Sequence, residues 1–302
     1  MTIRIGTSER DGTFHSQGRA LQAILQREAR LGPIEVLESK SASVDNAKRL
    51  QAGEIELGFM ASNWIGRAKR GEAPFDEPVD LRMAAPMNAG PLFFIAPAGS
   101  PIRALGDLRG QRVAVGLRTS GMVQHVHAIF GALGLGFADF TPVYLDFAAG
   151  ADALAAGEVD AQFQCPIPNQ VMTDLAQRVD LRVLAFGPGE IETVMRAVPD
   201  YRATVMRKGA IRGLDEDVTQ IAVVNVLAAH ARVPEPVVCD VVAAVIKQAG
   251  ELARINPLFA GLPDLFAPLR LQGPAALEFG GVPLHAGASR AYREAGLVAS
   301  AP

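Results

Sequence analysis

Two short loops in this chain carry side chains suited to holding a small anion. One is Thr7-Ser8-Glu9-Arg10-Asp11-Gly12-Thr13, followed by Phe14, and the other is Leu117-Arg118-Thr119-Ser120-Gly121-Met122. Each sets hydroxyls and an arginine between an apolar strand-like run and a helix-like run. Free N–H groups and the positive end of the helix dipole then face whatever binds there. Two readings of the charged residues stand. In one, Glu9, Arg10, Asp11 and Arg118 are simply solvated; in the other, an arginine forks onto a carboxylate while an acid receives an amine or hydroxyl.

Three further polar clusters follow strand-like runs in the same way. Ser41 and Ser43 lie in Glu38-Ser-Lys-Ser-Ala-Ser43, where Ser43 reads as a helix N-cap whose hydroxyl can also serve a ligand. Ser62 and Asn63 directly follow the run Ile55–Met60, and their neighbour Trp64 belongs either to a rim or to the core. The turn Gln164-Cys165-Pro166-Ile167-Pro168-Asn169 is stiffened by two prolines and offers the amides of Gln164 and Asn169.

No pattern for catalysis, metal or cofactor accompanies them. The loops are neither GxGxxG nor GxxxxGK[ST], and GxSxG and HExxH are absent. His125 and His127 stand two apart on a helical run and face different ways; His15, His230 and His285 are scattered. The expectation is a binding site with no catalytic residue, no metal and no cofactor. Cys165 and Cys239 read as unpaired thiols.

The elements that must position these clusters come in two copies. Gln51-Ala-Gly-Glu-Ile-Glu-Leu-Gly-Phe-Met60 is echoed by Ala155-Ala-Gly-Glu-Val-Asp-Ala-Gln-Phe-Gln164. Both read as a helix stopped at a glycine and followed by alternation into a strand. Upstream, Ile3–Gly6 and Arg112–Val115 each lead into one of the two loops. Strands are expected at Arg4–Gly6, Ile34–Leu37, Ile55–Met60, Leu81–Pro86, Pro91–Ala96, Arg112–Val115, Thr141–Leu145, Val159–Gln164 and Leu181–Phe186. Helices alternate with them, so the sheets should be mainly parallel. From Asp217 the pattern predicts helices over Val218–Ala231, Glu235–Ile255 and Gly287–Gly296. Extended crossings at Pro86–Ile95 and Val183–Pro188 give a first lobe of 1–88 plus 187–302 and an inserted lobe of 89–186.

Composition fits a globular protein: 302 residues, 49% hydrophobic, 20% charged, net charge −3. There is no basic footprint for nucleic acid. No apolar run approaches the ~18 residues of a membrane span. The chain opens on a strand without a signal-peptide pattern, which points to a cytoplasmic protein or to one whose leader has been removed.

The stretches IGTSERDGTF, SASVDNAKRLQAGEIELGFMASN, DLRGQRVAVGLRTSG, AAGADALAAGEVDAQF, GLDEDVTQIAV and PLHAGASRAYREAG, in that order, resemble the signature segments of the TAXI family of TRAP-transporter solute-binding proteins. The resemblance implies an α/β, two-lobed type II periplasmic-binding-protein fold with a ligand cleft between the lobes. It further implies a periplasmic, monomeric carrier that captures a small organic anion (an amino acid, dicarboxylate or related carboxylate) by lobe closure and delivers it to a TRAP-type membrane permease. The matching pocket positions are Gly6–Thr13, Ser41–Ser43, Ser62, Asn63, Thr119–Met122 and Gln164–Asn169. Phe14 agrees with the family's usual aromatic. Glu9, Arg10 and Asp11 replace its glycines and threonines, Ala42 a frequent glycine and Ala286 a frequent proline. An enzyme or a cytosolic ligand sensor on the same architecture are the competing readings.

Overall fold

The computed structural model describes residues 1–10, 12–118, 120–164, 167 and 169–299. Its first strand, β1 (Ile3–Gly6), buries Ile3 and Ile5 completely or nearly so. It lies between two parallel neighbours, β2 (Ile34–Leu37) in the register Ile3↔Ile34 and β3 (Leu57–Ala61) in the register Ile5↔Leu57. Between β1 and β2 runs α1 (Thr13–Leu25), whose buried face of Phe14, Gln17, Gly18, Leu21, Ile24 and Leu25 follows the helical period. Helix α2 (Ser43–Ala52) buries Ser43, Asn46, Ala47 and Leu50 at the same spacing, and α3 (Ser62–Arg70) leaves β3 without a loop. The chain then enters β4 (Leu81–Pro97).

Strand β5 (Arg112–Ala114) begins the second copy and leads into α4 (Gly121–Ala132). After it come β6 (Thr141–Val143), α5 (Phe147–Ala155), β7 (Ala161–Gln164), α6 (Gln170–Arg178), β8 (Leu181–Val183), α7 (Glu190–Ala197), β9 (Tyr201–Met206) and β10 (Val218–His230). Strand β5 sits between β6 and β7, parallel to both, while β7 and β8 run antiparallel to β4 and β9 antiparallel to β10. The far half of β10 pairs antiparallel with β3, Asn225 opposite Ala61. Helices α8 (Glu235–Lys247), α9 (Ala249–Ile255), α10 (Leu262–Phe266), α11 (Leu269–Gln272) and α12 (Ala286–Glu294) complete the chain. Tyr292 of α12 is fully buried, and its hydroxyl donates to the Ala84 carbonyl at 3.0 Å.

The chain divides into two compact units, Met1–Ala89 with Val224–Pro302, and Gly90–Val223. Each is tied by the same clasp. In the first, Arg4 sends Nε and Nη2 to the two carboxylate oxygens of Glu56 (3.1 and 2.7 Å) and Nη2 also to the Gly53 carbonyl (3.0 Å). In the second, Arg112 does the same with Asp160 (3.0 and 2.7 Å) and the Gly157 carbonyl (2.9 Å). The repeated phrase in the sequence is this clasp: Gly53 and Gly157, with φ of 75° and 72°, end their helices in the left-handed conformation, and the acid three residues on meets the arginine. Arg112 holds the Asp160 carboxyl below its ordinary range.

Several expectations are corrected. Residues 218–231 are not a helix but strand β10. Gln220 through His230 are all buried, so both faces are covered and the apolar run loses the alternation that marks a strand; its β-branched content was the better signal. Consequently the second boundary between units lies at Val223/Val224, not near 187. Leu81–Pro86 and Pro91–Ala96 are one 17-residue strand, and β9 adds a strand where none was expected. The sheet is mixed rather than mainly parallel, because β4 runs against β7 and β8, and β10 against β3 and β9. The expected helix Glu235–Ile255 breaks at Gln248 into α8 and α9. Ser43 does not cap its helix; Ala42 holds the cap position with φ 42° and ψ −107°, and Ser43 Oγ accepts the Ala61 N–H at 3.0 Å.

That backbone conformation suits glycine and strains any residue with a Cβ. Ala42→Gly is therefore expected to stabilise the protein by about 1 kcal/mol, raising the thermal midpoint by about 2 °C. An unchanged or lower midpoint in calorimetry would show that the turn carries no strain.

Candidate functional site

In the first unit the carboxyl ends of β1, β2 and β3 converge on a set of latched polar groups. Thr7 is fully buried, and its N–H and Oγ1 both donate to the Leu37 carbonyl at 2.9 Å. The Thr7 carbonyl accepts Ser39 Oγ at 2.6 Å and Asn46 Nδ2 at 2.8 Å, and Asn46 Nδ2 also reaches the Phe59 carbonyl at 2.9 Å. Ser8 Oγ accepts the His15 N–H at 3.2 Å. Ser62 Oγ accepts the Val224 N–H at 3.3 Å. Most hydroxyls singled out from the sequence thus hold the strand ends and helix starts in place.

Arg10 pairs with Glu38 through Nε (3.1 Å) and Nη2 (3.0 Å), both side chains well exposed, so a carboxylate of the protein itself fills the fork. The pair edges an open groove of about 740 Å³ whose walls mix Glu9, Lys40, Asp45 and Lys48. Ser41 N–H donates to the Asp45 carboxylate at 2.8 Å. Thr13 opens α1, and its carbonyl accepts Ser16 Oγ at 2.9 Å. Phe14 belongs to the core, stacked on Phe59 with ring centroids 5.4 Å apart. Trp64 packs edge-on to Phe75 at the margin of that core, with the Arg67 guanidinium 4.7 Å above its ring.

Sequence reasoning missed an amide cluster in the same unit. Gln17 Nε2 and Asn225 Nδ2 both donate to Asn88 Oδ1, at 3.1 and 3.2 Å, and all three residues are buried. Gln17 Oε1 and, on α3, Asn63 Oδ1 have no hydrogen-bond partner among the described residues. The available signal was a lone amide inside an apolar stripe: Gln17 among Phe14, Leu21 and Ile24, and Asn225 among Val223, Val224 and Val226. Such a residue is retained against a burial penalty of a few kcal/mol and invites the question of its partner.

In the second unit, β5 and β7 end beside one another. The loop after β5 lays the Arg118 guanidinium on the Tyr144 ring, 3.7 Å from its centroid. No carboxylate pairs with Arg118 among the described residues. Ser120 caps α4: its Oγ accepts the Val123 N–H at 3.5 Å and donates to the Leu117 carbonyl at 2.7 Å. Gly121 and Met122 form the first turn of α4. Gln164 ends β7, fully buried, with neither amide atom hydrogen bonded among the described residues. Asn169 caps α6, its Oδ1 accepting the Met172 N–H at 2.8 Å. Thr119 and Pro166, with Asp11 and Cys165, lie outside the described residues; Cys239 is buried and free.

The structure therefore gathers Arg118, Ser120, Gly121, Met122, Gln164 and Asn169 at one sheet edge of the second unit. In the first unit it gathers Thr7, Ser8, Ser43, Ser62 and Asn63 at another. No cluster of three or more His, Cys, Asp or Glu suited to a metal occurs among the described residues, and no helix among them is long and apolar enough to cross a membrane.

Comparison with solved structures identifies the fold. The fold is that of periplasmic binding proteins. A TctC solute binding protein from Polaromonas shares 17% identity, with 87% of this chain and 88% of that chain covered and a TM-score of 0.58. The periplasmic aliphatic sulphonate binding protein SsuA from Escherichia coli shares 18% identity over 99% and 89% of the two chains, with a TM-score of 0.52. The chain belongs to the NMT1-like family, whose characteristic sequence pattern matches residues 5–296.

One buried titratable group follows from the second unit's packing. His125 Nδ1 and the Tyr201 hydroxyl are hydrogen bonded at 2.6 Å, and burial alone pushes the imidazole down to about 4. Above pH 6.5 the ring is neutral folded and unfolded. Below it the unfolded chain takes up a proton that the folded chain refuses until about pH 4, so stability falls across that window by roughly 3 kcal/mol. Urea midpoints at pH 7, 5.5 and 4.5 should drop more steeply in the wild type than in His125→Gln. Parallel slopes would show that His125 is not held neutral.

Proposed function

We propose that this member of the NMT1-like family is a solute-binding protein of the TAXI type, which captures a small organic anion and hands it to a TRAP-type membrane permease from the periplasm. The observation that carries the reading is Arg118. Its guanidinium is pre-oriented by the Tyr144 ring, unpaired with any carboxylate among the described residues, and set immediately before the N-terminus of α4. Stacking on an aromatic face fixes a guanidinium without using its N–H donors, which leaves the fork available for a carboxylate. The first N–H groups of α4 add donors of the same polarity. In the first unit, Arg10 lacks this freedom because Glu38 already occupies it.

The family resemblance in the loops and the binding-protein fold support capture and release without chemistry. The Gln164 amide, without a partner among the described residues and at the same sheet edge as Arg118, is a group a ligand completes.

Thermal denaturation against amino acids, dicarboxylates, hydroxy acids and keto acids tests this. A ligand at a hundred times its dissociation constant adds about 2.7 kcal/mol to the folded state. At least one small carboxylate should raise the midpoint and be recovered unchanged. Arg118→Ala should weaken it tenfold or more, about 1.4 kcal/mol, with Arg118→Lys between the two. Consumption of the ligand, or binding indifferent to both variants, would sink the proposal.

A further inference from the structure

We infer that Gln164 selects the solute by a paired donor and acceptor, so that the ligand carries, beside its carboxylate, a neutral group that both donates and accepts, such as a primary amide or a hydroxyl. The inference rests on the reading of the protein as a binder of small carboxylates and narrows the class of solute.

Gln164 is the last residue of β7 and fully buried, yet its Oε1 and its Nε2 both lack a partner among the described residues. A side-chain amide carries two donors and a carbonyl acceptor, and enclosing all of them without hydrogen bonds is costly. Other buried glutamines of this unit are treated differently. Gln162, on the same face of β7, donates Nε2 to the Phe147 carbonyl at 3.0 Å, and Gln220 donates Nε2 to the Leu184 carbonyl at 3.1 Å. Each of these is anchored at its nitrogen end, whereas Gln164 is open at both ends. Because both atoms are open, exchanging the oxygen and nitrogen positions of the amide changes nothing in the argument.

The strand register places this amide at the same sheet edge as the anion anchor. Ala114 pairs with Gln162 in the parallel β5–β7 ladder, so Gln164 is level with Gly116, two residues before Arg118. Neighbouring strands are about 4.8 Å apart. The Arg118 guanidinium lies on Tyr144, which follows β6 on the other side of β5, so about two strand spacings, ~10 Å, separate it from the amide, a gap that a four- or five-carbon acid spans. A group that only donates, or only accepts, satisfies one end of the amide and leaves the other buried and bare. A primary amide satisfies both through two antiparallel N–H···O bonds, and a hydroxyl does so by turning.

The experiment uses six acids that differ at one terminus: succinamate, 4-hydroxybutyrate, 4-aminobutyrate, levulinate, succinate and pentanoate. Dissociation constants are measured by calorimetry for the wild type, Gln164→Leu and Gln164→Glu, with urea midpoints to check folding. Succinamate or 4-hydroxybutyrate should bind the wild type at least tenfold more tightly than levulinate and pentanoate, and which of the two leads separates amide from alcohol. Gln164→Leu should fold as stably as the wild type and erase the discrimination while retaining dependence on Arg118. In Gln164→Glu, which accepts but does not donate when ionised, 4-aminobutyrate should overtake succinamate. Equal binding of all six acids to the wild type, or discrimination that survives in both variants, would overturn the assignment of Gln164 but leave the carboxylate-binding reading in place. Failure of all six to bind would overturn both.

Discussion

The arginine clasp at the start of each unit is the constraint on which the rest of the architecture depends. Arg4 and Glu56 exchange backbone bonds as well as side-chain bonds: the Arg4 N–H donates to the Glu56 carboxylate at 2.8 Å, and the Glu56 N–H donates to the Arg4 carbonyl at 3.0 Å. Arg112 and Asp160 repeat both contacts, each at 2.8 Å. Because Arg4 also grips the carbonyl of the helix-ending Gly53, one side chain fixes the end of a helix and the pairing of two strands together. In a parallel ladder a slip of one residue turns every side chain to the opposite face. The clasp pins that register at the amino ends of β1 and β3, and of β5 and β7. Beyond the clasp, Thr7 comes level with Phe59, whose carbonyl and its own are bridged by Asn46, and in the other unit Gly116, at the start of the Arg118 loop, comes level with Gln164.

From those ends outward, the protein separates polar groups that hold the scaffold from polar groups that remain open. Asn46 and Thr7 spend their donors on backbone carbonyls, and Ser43 and Ser62 their oxygens on backbone N–H groups. Gln164 and one end of Gln17 do not. Charge is handled differently. The guanidinium of Arg118 stays exposed and is oriented by a ring, while the enclosed groups are neutral amides. Burying an unpaired amide costs a few kcal/mol, but burying an unpaired charge costs far more. The division lets the second unit keep an oriented cation and a recognition group a short distance apart without placing a bare ion in its interior.

How much of this was legible follows from what each signal reports. The doubled phrase was readable because a glycine stop, an acid and an alternating run leave a local imprint. The arginine partners were not, since Arg4 and Glu56 are 52 residues apart and only folding brings them together. Strand β10 was misread because burial on both sides removes the alternation that separates strand from helix, and the error carried the second unit boundary with it. Loop polarity located Arg118 and Gln164 correctly at strand ends. It did not show the packing of Phe14 or the hydrogen bonds of Ser8 and Thr7, which depend on neighbours from other segments. The Gln17–Asn88–Asn225 cluster joins three distant stretches, each of which shows only one unexplained amide.

The interruption of the first unit by the second also orders events during synthesis. Residues 90–223 form a continuous stretch with a core of its own around Phe93, Ile95, Leu154, Met172 and Leu175. The first unit has β1, β2 and β3 early but lacks the strand that covers β3 until Asn225 to Ala229 are made, and the Tyr292 hydroxyl that anchors Ala84 until nearly the last turn of α12. On the ribosome the inserted unit can therefore finish while the first still exposes the edge of β3 to other chains. Residues 1–89 therefore spend that interval without the strand and the helix that complete their core.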